Sequence, residues 1–212
     1  MFTKRFLGPS VLTLAIVPAL IALNGCQAPD SHAEELRRIA EHRPVHVDSV
    51  FSVEEEIRRF RADLPEHAPE LSGGEAGIDA LIGRFVSALG AGDTAVLREL
   101  ALSRAEFADL YYPTSQYTRP PYELGPSLVW FRMESRGSRG LNRALQRFAG
   151  KPLEHQGYRC NPDPAIEGEN RIWTGCVLDL GDGTDDPLPV ALFGAVVERD
   201  GHFKFTSYAN SL

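Results

Sequence analysis

Four side chains in this sequence carry the chemistry of acid–base catalysis, provided the fold brings them to a cavity: Asp109, Tyr111, Tyr112 and His155. Burial would raise the pKa of Asp109 for work as a base, and a phenol or an imidazole could donate to a developing oxyanion. Geometry decides between that role and a plainer one. Tyr111 and Tyr112 fall at the end of a helical run, where aromatic rings commonly close a core. His155 falls in a first strand-like run, where an exposed polar position is the stronger expectation. No catalytic residue is therefore assigned. The sequence holds no Gly-x-Ser-x-Gly elbow, no Walker loop and no dinucleotide fingerprint, and no cofactor is expected.

Metal chemistry has two places to start, and neither has the right pattern. Gly181-Asp182-Gly183-Thr184-Asp185-Asp186, with Asp179 before it, clusters carboxylates but lacks the alternating acids and closing glutamate of a calcium loop. A polar hairpin loop accounts for it, since Gly and Asp are what turns need. His42 and His46 are four apart, yet Pro44 disfavours the helix that would align them. No metal site is expected. Cys160 and Cys176 enclose fifteen residues, and no histidine lies at zinc-finger spacing from them. A disulfide is the leading expectation, worth about 3 kcal/mol in the chain-entropy model; two free thiols or a metal pair are the alternatives.

The compartment is legible at the N-terminus. Lys4 and Arg5 precede an uncharged run from Leu7 to Leu23 that contains Gly8 and Pro18, a layout that fits a secretory signal better than a stable membrane span. Leu23-Asn24-Gly25-Cys26 resembles the lipobox of bacterial lipoproteins. The resemblance implies a signal peptide over 1–25 and a lipidated Cys26, with palmitate among its acyl chains, as first residue of the mature protein. It also implies anchorage in the bacterial cell envelope. Gln27, by likeness to enterobacterial lipoproteins, implies the outer membrane facing the periplasm. An uncleaved N-terminal anchor and an ordinary cleaved signal are the other readings of the segment. In each case the bulk of the chain leaves the cytoplasm, which suits a cysteine pair in an oxidising compartment.

Lys4 and Arg5 are the only charged residues before Cys26, so removing 1–25 leaves 187 residues with 20 basic against 29 acidic side chains. That length suits one domain with a proper core. The acidic balance repels phosphate backbones and excludes nucleic acid as a partner. The dense basic run Arg132 to Arg147 is diluted by Glu134 and reads as a solvated helix face, with an anionic partner such as lipid headgroups as the alternative.

Spacing and breakers predict the elements. Residues 26–47, broken by Pro29 and Pro44, read as a tether, with a short amphipathic helix at Ala33 to His42; 48–212 read as a single α+β domain. Ser52 and Glu55 form a capping box for a helix that Pro65 stops. Ile78, Leu81, Ile82, Phe85 and Leu89 form the stripe of a second helix that Gly90 and Gly92 end. Asp93 caps a short third helix. Ser103 and Glu106 form another capping box for a helix ending near Tyr111. The loop from Tyr112 to Tyr122 is long enough to be read as a binding lip. Pro126 starts a long helix, with Gly137 and Gly140 permitting a kink.

After Gly150-Lys151-Pro152 the period changes to two, predicting four antiparallel strands over Leu153 to Cys160, Asn170 to Leu180, Val190 to Arg199 and His202 to Ala209. Asp200-Gly201 predicts a two-residue hairpin turn. The third strand is apolar on both faces. One face should meet the helices, and the other needs the first helix, a second subunit or another strand layer.

This order of elements resembles the nuclear transport factor 2-like fold, also called cystatin-like or SnoaL-like. The stretch IDALIGRFVSALGAGDTAVLREL, Ile78 to Leu100, looks like the opening of such domains, and LFGAVVERDGHFKFTSYAN like their closing strands. The likeness covers about 75–210, with the helix at Ser52 to Leu64 and the loop around Pro120 as additions. It implies a cone: helices packed on a curved antiparallel sheet of four or more strands. It also implies one of three functions, namely a binder of a small apolar ligand or envelope protein, an isomerase, cyclase or hydrolase, or a structural homodimer module. The binder, non-enzymatic, is the leading expectation. An enzyme needs an inward carboxylate or histidine in an apolar pocket, a binder a pocket without one, and a dimer module a filled cavity and an exposed apolar sheet face.

Overall fold

A computed structural model describes residues 51–64, 66–181 and 188–212, together with Glu35, Arg37 and Arg38. Those last three are helical and exposed and belong to the unit Met1–Ser49, whereas Val50–Leu212 forms a second compact unit. Cys26, His42, His46 and the acidic residues of 182–187 lie outside the described residues. No helix among those described is long and apolar enough to cross a membrane.

Helix α1, Val53–Ala62, buries Ile57 and Phe60. Its capping box is only half made. The Ser52 hydroxyl accepts from Glu55 N at 3.4 Å, but the Glu55 carboxylate turns to Arg58 and Arg59 instead of returning to the cap. Helix α2, Ile78–Ala91, ends where Gly92 adopts φ 70°, and its buried stripe is the one the spacing predicts. In α3, Thr94–Glu99, the Asp93 carboxylate accepts from Ala95 N and Val96 N. The full capping box is in α4, Arg104–Glu106, which runs on into a wider π-turn over Phe107–Tyr111.

Helix α5, Pro126–Phe148, is continuous through Gly137 and Gly140. The two glycines serve approach rather than a kink: a Cβ on Gly140 would stand 1.9 Å from the Tyr208 carbonyl oxygen, and one on Gly137 3.4 Å from Ser207 Cβ. The C-terminal segment thus lies against the helix axis. Arg143 Nη2 donates to the Asn210 carbonyl at 2.6 Å and fastens it there.

The strands form two antiparallel sheets rather than one. β1 (Glu154–Arg159), β4 (Val177–Gly181) and β5 (Leu188–Val190) are ordered β1-β4-β5, and β2 (Ala165–Glu167), β3 (Asn170–Trp173), β6 (Val196–Arg199) and β7 (His202–Phe205) are ordered β2-β3-β6-β7. No barrel closes among the described residues. Two of the expected long strands are each broken in the middle, the second at Gly175 with φ 64° and the third across Ala191 to Ala195. They remain partners on both sides of the break. Trp173 pairs with Val196 and Leu178 with Val190, so five steps on one strand face six on the other and the register slips by one residue. Such a slip bends a strand pair and turns it from one sheet into the next.

The Asp200-Gly201 turn has φ values of 50° and 78°, as the two-residue hairpin requires. Phe203 exchanges backbone hydrogen bonds with Glu75, while Phe205 N donates to the Leu100 carbonyl and Leu102 N to the Phe205 carbonyl. The free edge of β7 is thereby covered by helix-connecting segments.

Two apolar clusters hold the domain, and both lie within Val50–Leu212. One joins α2 and the end of α5 to the three-stranded sheet and includes Phe85, Phe148, Leu178, Leu192 and Val196. The other joins α1, the π-turn and the start of α5 to β3 and β6 and includes Phe60, Phe107, Tyr112, Ile172 and Val197. Neighbours Val196 and Val197 therefore bury into different clusters, and the second face of the apolar strand is covered by α1 and the π-turn. Cys160 and Cys176, flanking the paired residues Arg159 and Val177, are joined by a disulfide with S–S 2.03 Å.

Candidate functional site

The break in the long strands leaves a hollow of about 310 Å³ beneath the start of α5. Its floor is Ile172 and Thr174 from the end of β3, Gly194 and Ala195 from the break before β6, and Thr206 and Ser207 beyond β7. Val129, Arg132, Met133 and Arg136 descend from α5 at the four-residue and three-residue steps of one helix face. Gln116, Tyr117 and Leu124 close a third side, so the segment expected as a binding lip does border a cavity. The glycine at 194 keeps the floor open, because a Cβ there would meet Ser207 Oγ at 3.2 Å.

The polar groups at this hollow are unevenly committed. The Thr206 hydroxyl is engaged with the backbone of Ala195, and Thr174 Oγ1 accepts from Asn161 Nδ2 at 2.9 Å. Among the described residues, the Tyr111, Tyr117 and Ser207 hydroxyls and the guanidinium groups of Arg132 and Arg136 have no hydrogen-bond or ion-pair partner. The hollow's lining contains no carboxylate and no imidazole. A second, larger hollow of about 610 Å³ lies on the other flank of α5, between Arg98, Leu102, Arg104 and Leu141, and shares Met133, Thr206 and Ser207 with the first.

Of the four acid–base candidates, only Tyr111 lines the first hollow. Burial, followed by the nearby charge of Glu167 and then Tyr117, pushes its phenol well above the ordinary tyrosine range. Tyr112 is fully buried and donates to the Leu124 carbonyl at 2.7 Å, and burial with a smaller effect from Glu56 pushes it up to about 12. It therefore holds the lip segment to the core.

Asp109 does not line the first hollow but borders a separate recess with Arg61, His67, Ala68 and Pro69. One oxygen lies 2.6 Å from Arg61 Nε, and the other accepts from Ala68 N at 2.8 Å and approaches His67 Nδ1 at 3.3 Å. His155 sits on β1 with its ring edge against Tyr158, and its Nδ1 is buried without a partner among the described residues. Asp179, the one described member of the acidic run, is paired with Arg159 at 3.0 Å. No three potential metal-ligating side chains come together among the described residues.

Sequence reasoning passed over two buried acids. Glu106, identified only as a cap residue, also accepts from Ser72 N at 2.7 Å and from Lys204 Nζ. Glu167 on β2 is 6 % exposed; its Oε1 accepts from Gln116 N at 3.1 Å and its Oε2 has no partner among the described residues. Burial raises the Glu167 pKa, opposed by the Gln116 hydrogen bond and the Arg119 charge. The one sequence signal for it is its place after Ala165-Ile166, in a stretch too short and too polar to stand out as a strand.

The basic run on α5 is not uniform. Arg143 holds Asn210 and Arg147 lies over the Phe148 ring, whereas Arg132 and Arg136 border the hollow. Compared with protein-family models, with curated proteins and with solved structures, the chain matches none.

Proposed function

We propose that this is a lipid-anchored protein of the bacterial cell envelope whose nuclear transport factor 2-like domain binds a small apolar molecule without transforming it. The observation that carries the reading is the hollow beneath α5. It has apolar walls in Tyr111, Leu124, Val129, Met133 and Ile172, polar groups on its floor and at its margins, and no carboxylate or imidazole in its lining. Ligand sites combine these features, and 310 Å³ is near the small end of their range. The cone-shaped fold is supported by helices that precede the bent strand pair and pack on the two sheets it joins. Export is supported by the lipobox-like Leu23 to Cys26 and by the Cys160–Cys176 disulfide, a bond that persists in oxidising compartments. The outer membrane is the site that Gln27 favours.

Methyl resonances test the binding directly. Titration with octan-1-ol should shift Val129, Met133 and Ile172 well before the core methyls of Leu81 and Ile82. Uniform shifts, or none, would count against the hollow as a ligand site.

A homodimer or an envelope protein partner is a second reading, and one observation favours it. Leu128 and Phe131, three apart on α5, are 41 % and 65 % exposed, more than a monomer's core helix needs. Light scattering of the purified chain separates a dimer from a monomer.

A further inference from the structure

We infer that the ligand of the hollow beneath α5 is an amphiphile with an anionic head, and that Arg132 and Arg136 hold that head. The inference rests on the ligand-binding reading above and adds to it the charge of the ligand.

Among the described residues, seven of the fifteen arginines of Val50–Leu212 pair with an acid, and the five on α5 do not. Arg58, Arg61, Arg84, Arg159 and Arg171 are each ion-paired on the domain. Arg132 and Arg136 have no such partner among the described residues, although 29 acidic side chains are available to the chain. They are one helical turn apart, so their Cβ atoms stand about 5–6 Å from each other and both planar forks can reach a single head. Both are exposed, and both border a cavity whose apolar walls lie deeper than they do: Val129 and Tyr111 are buried and Ile172 is 5 % exposed.

This is the order of an amphiphile site, with charge at the mouth and apolar side walls within, above a floor that also carries Thr174, Thr206 and Ser207. The charge fixes the head as an anion, and the guanidinium fork matches a carboxylate in two parallel hydrogen bonds. The tail is limited by the volume to a medium chain. Glu134, between the two arginines in sequence, borders the neighbouring hollow instead and does not neutralise the mouth of this one.

The test compares octanoate with octan-1-ol, which share a chain length and differ in head charge, by calorimetric titration below their micelle-forming concentrations. Residues 27–212 are exported behind a cleavable secretory signal, so that no lipid anchor or detergent competes; both apolar clusters lie within this piece. Charge-assisted hydrogen bonds should make octanoate bind about 10- to 100-fold tighter than octan-1-ol. The double substitution Arg132→Gln with Arg136→Gln should abolish that advantage and leave octan-1-ol binding unchanged. Added salt should narrow the advantage in the unsubstituted protein.

Equal affinity for the two compounds would overturn the inference while leaving the hollow a ligand site. So would an advantage that survives the double substitution. If neither compound binds, the ligand-binding reading falls and this inference with it.

Discussion

Lys204 on β7 and Glu106 on α4 are 98 residues apart in sequence, and the lysine Nζ lies 2.9 Å from both carboxylate oxygens with the two side chains 3 % and 0 % exposed. The third donor of Lys204 goes to the Ser72 carbonyl at 2.7 Å, and Glu106 also accepts from Ser72 N and Ser103 N. One ion pair thus ties together the last strand, the start of α4 and the segment before α2. Every group in it is satisfied, which is the condition under which buried charge is tolerated.

Breaking this pair from one side should be costly. Lys204→Met leaves a buried carboxylate without its cation and should destabilise the domain by about 3–5 kcal/mol in urea unfolding. Adding Glu106→Gln to it should recover part of the loss. A double variant as unstable as the sum of the singles would show that the two residues are not coupled.

The same pair predicts an acid limb. Burial pushes the Glu106 pKa up, but the Lys204 hydrogen bond, the Ser103 and Ser72 amides and the Lys204 charge together bring it below its ordinary 4.5. As pH falls, the unfolded chain takes up this proton before the folded one does. The stabilisation is therefore complete above pH 4.5 and is lost as pH drops through the lower folded value. Unfolding free energies measured from pH 6 to pH 3 should fall more steeply in the unsubstituted protein than in Glu106→Gln, and parallel curves would contradict the assignment.

Two helix glycines should respond in opposite directions to alanine. A Cβ on Gly83 of α2 meets nothing within 4 Å, so Gly83→Ala should stabilise by about 0.5–1 kcal/mol through helix propensity alone. Gly140→Ala drives a methyl into the Tyr208 carbonyl and should destabilise by about 1–3 kcal/mol or more. Thermal melts of the two variants decide it, and a stabilised Gly140→Ala would mean that α5 and the C-terminal segment are not so closely packed.

Much of this was legible in local chemistry. The end of α2 follows from Gly92, the start of α3 from Asp93, and the β6–β7 hairpin from Asp200-Gly201, because each residue type fits the backbone state it occupies. Two-sided burial of the third strand was legible too, from its unbroken apolar run. Its breaks were not. Leu192 and Phe193 are adjacent yet join one cluster, since the slip in register between the two pairings suspends the alternation that a strand would show. Gly137 and Gly140 read equally as a kink or a contact until the C-terminal segment is in place. The hollow itself depends on Val129, Ile172 and Ala195, drawn from three separate elements, so no local pattern could announce it. Asp109 lies away from the hollow for a related reason: its partners Arg61 and Ala68 lie more than forty positions away.

Reducing the Cys160–Cys176 bond reopens a loop of fifteen residues and should cost about 3 kcal/mol, lowering the melting temperature by roughly 6–12 °C for a domain of this size. Melting with and without dithiothreitol measures it. Two accessible thiols in protein kept oxidised would show that the bond does not form.

Replacing Cys26 by Ser should abolish acyl labelling and release or misplace the protein in cell fractionation. Labelling that persists unchanged would rule out Cys26 as the acylated residue.

Native mass spectrometry of residues 27–212, exported without the lipid and purified without detergent, bears most directly on the ligand-binding account. The account predicts a population carrying one small molecule per chain, lost on denaturation, or an apo chain that takes up one octanoate when it is offered. A chain that stays free of ligand in the presence of both octanoate and octan-1-ol would contradict it, and a ligand-free dimer would move the function to the exposed face of α5.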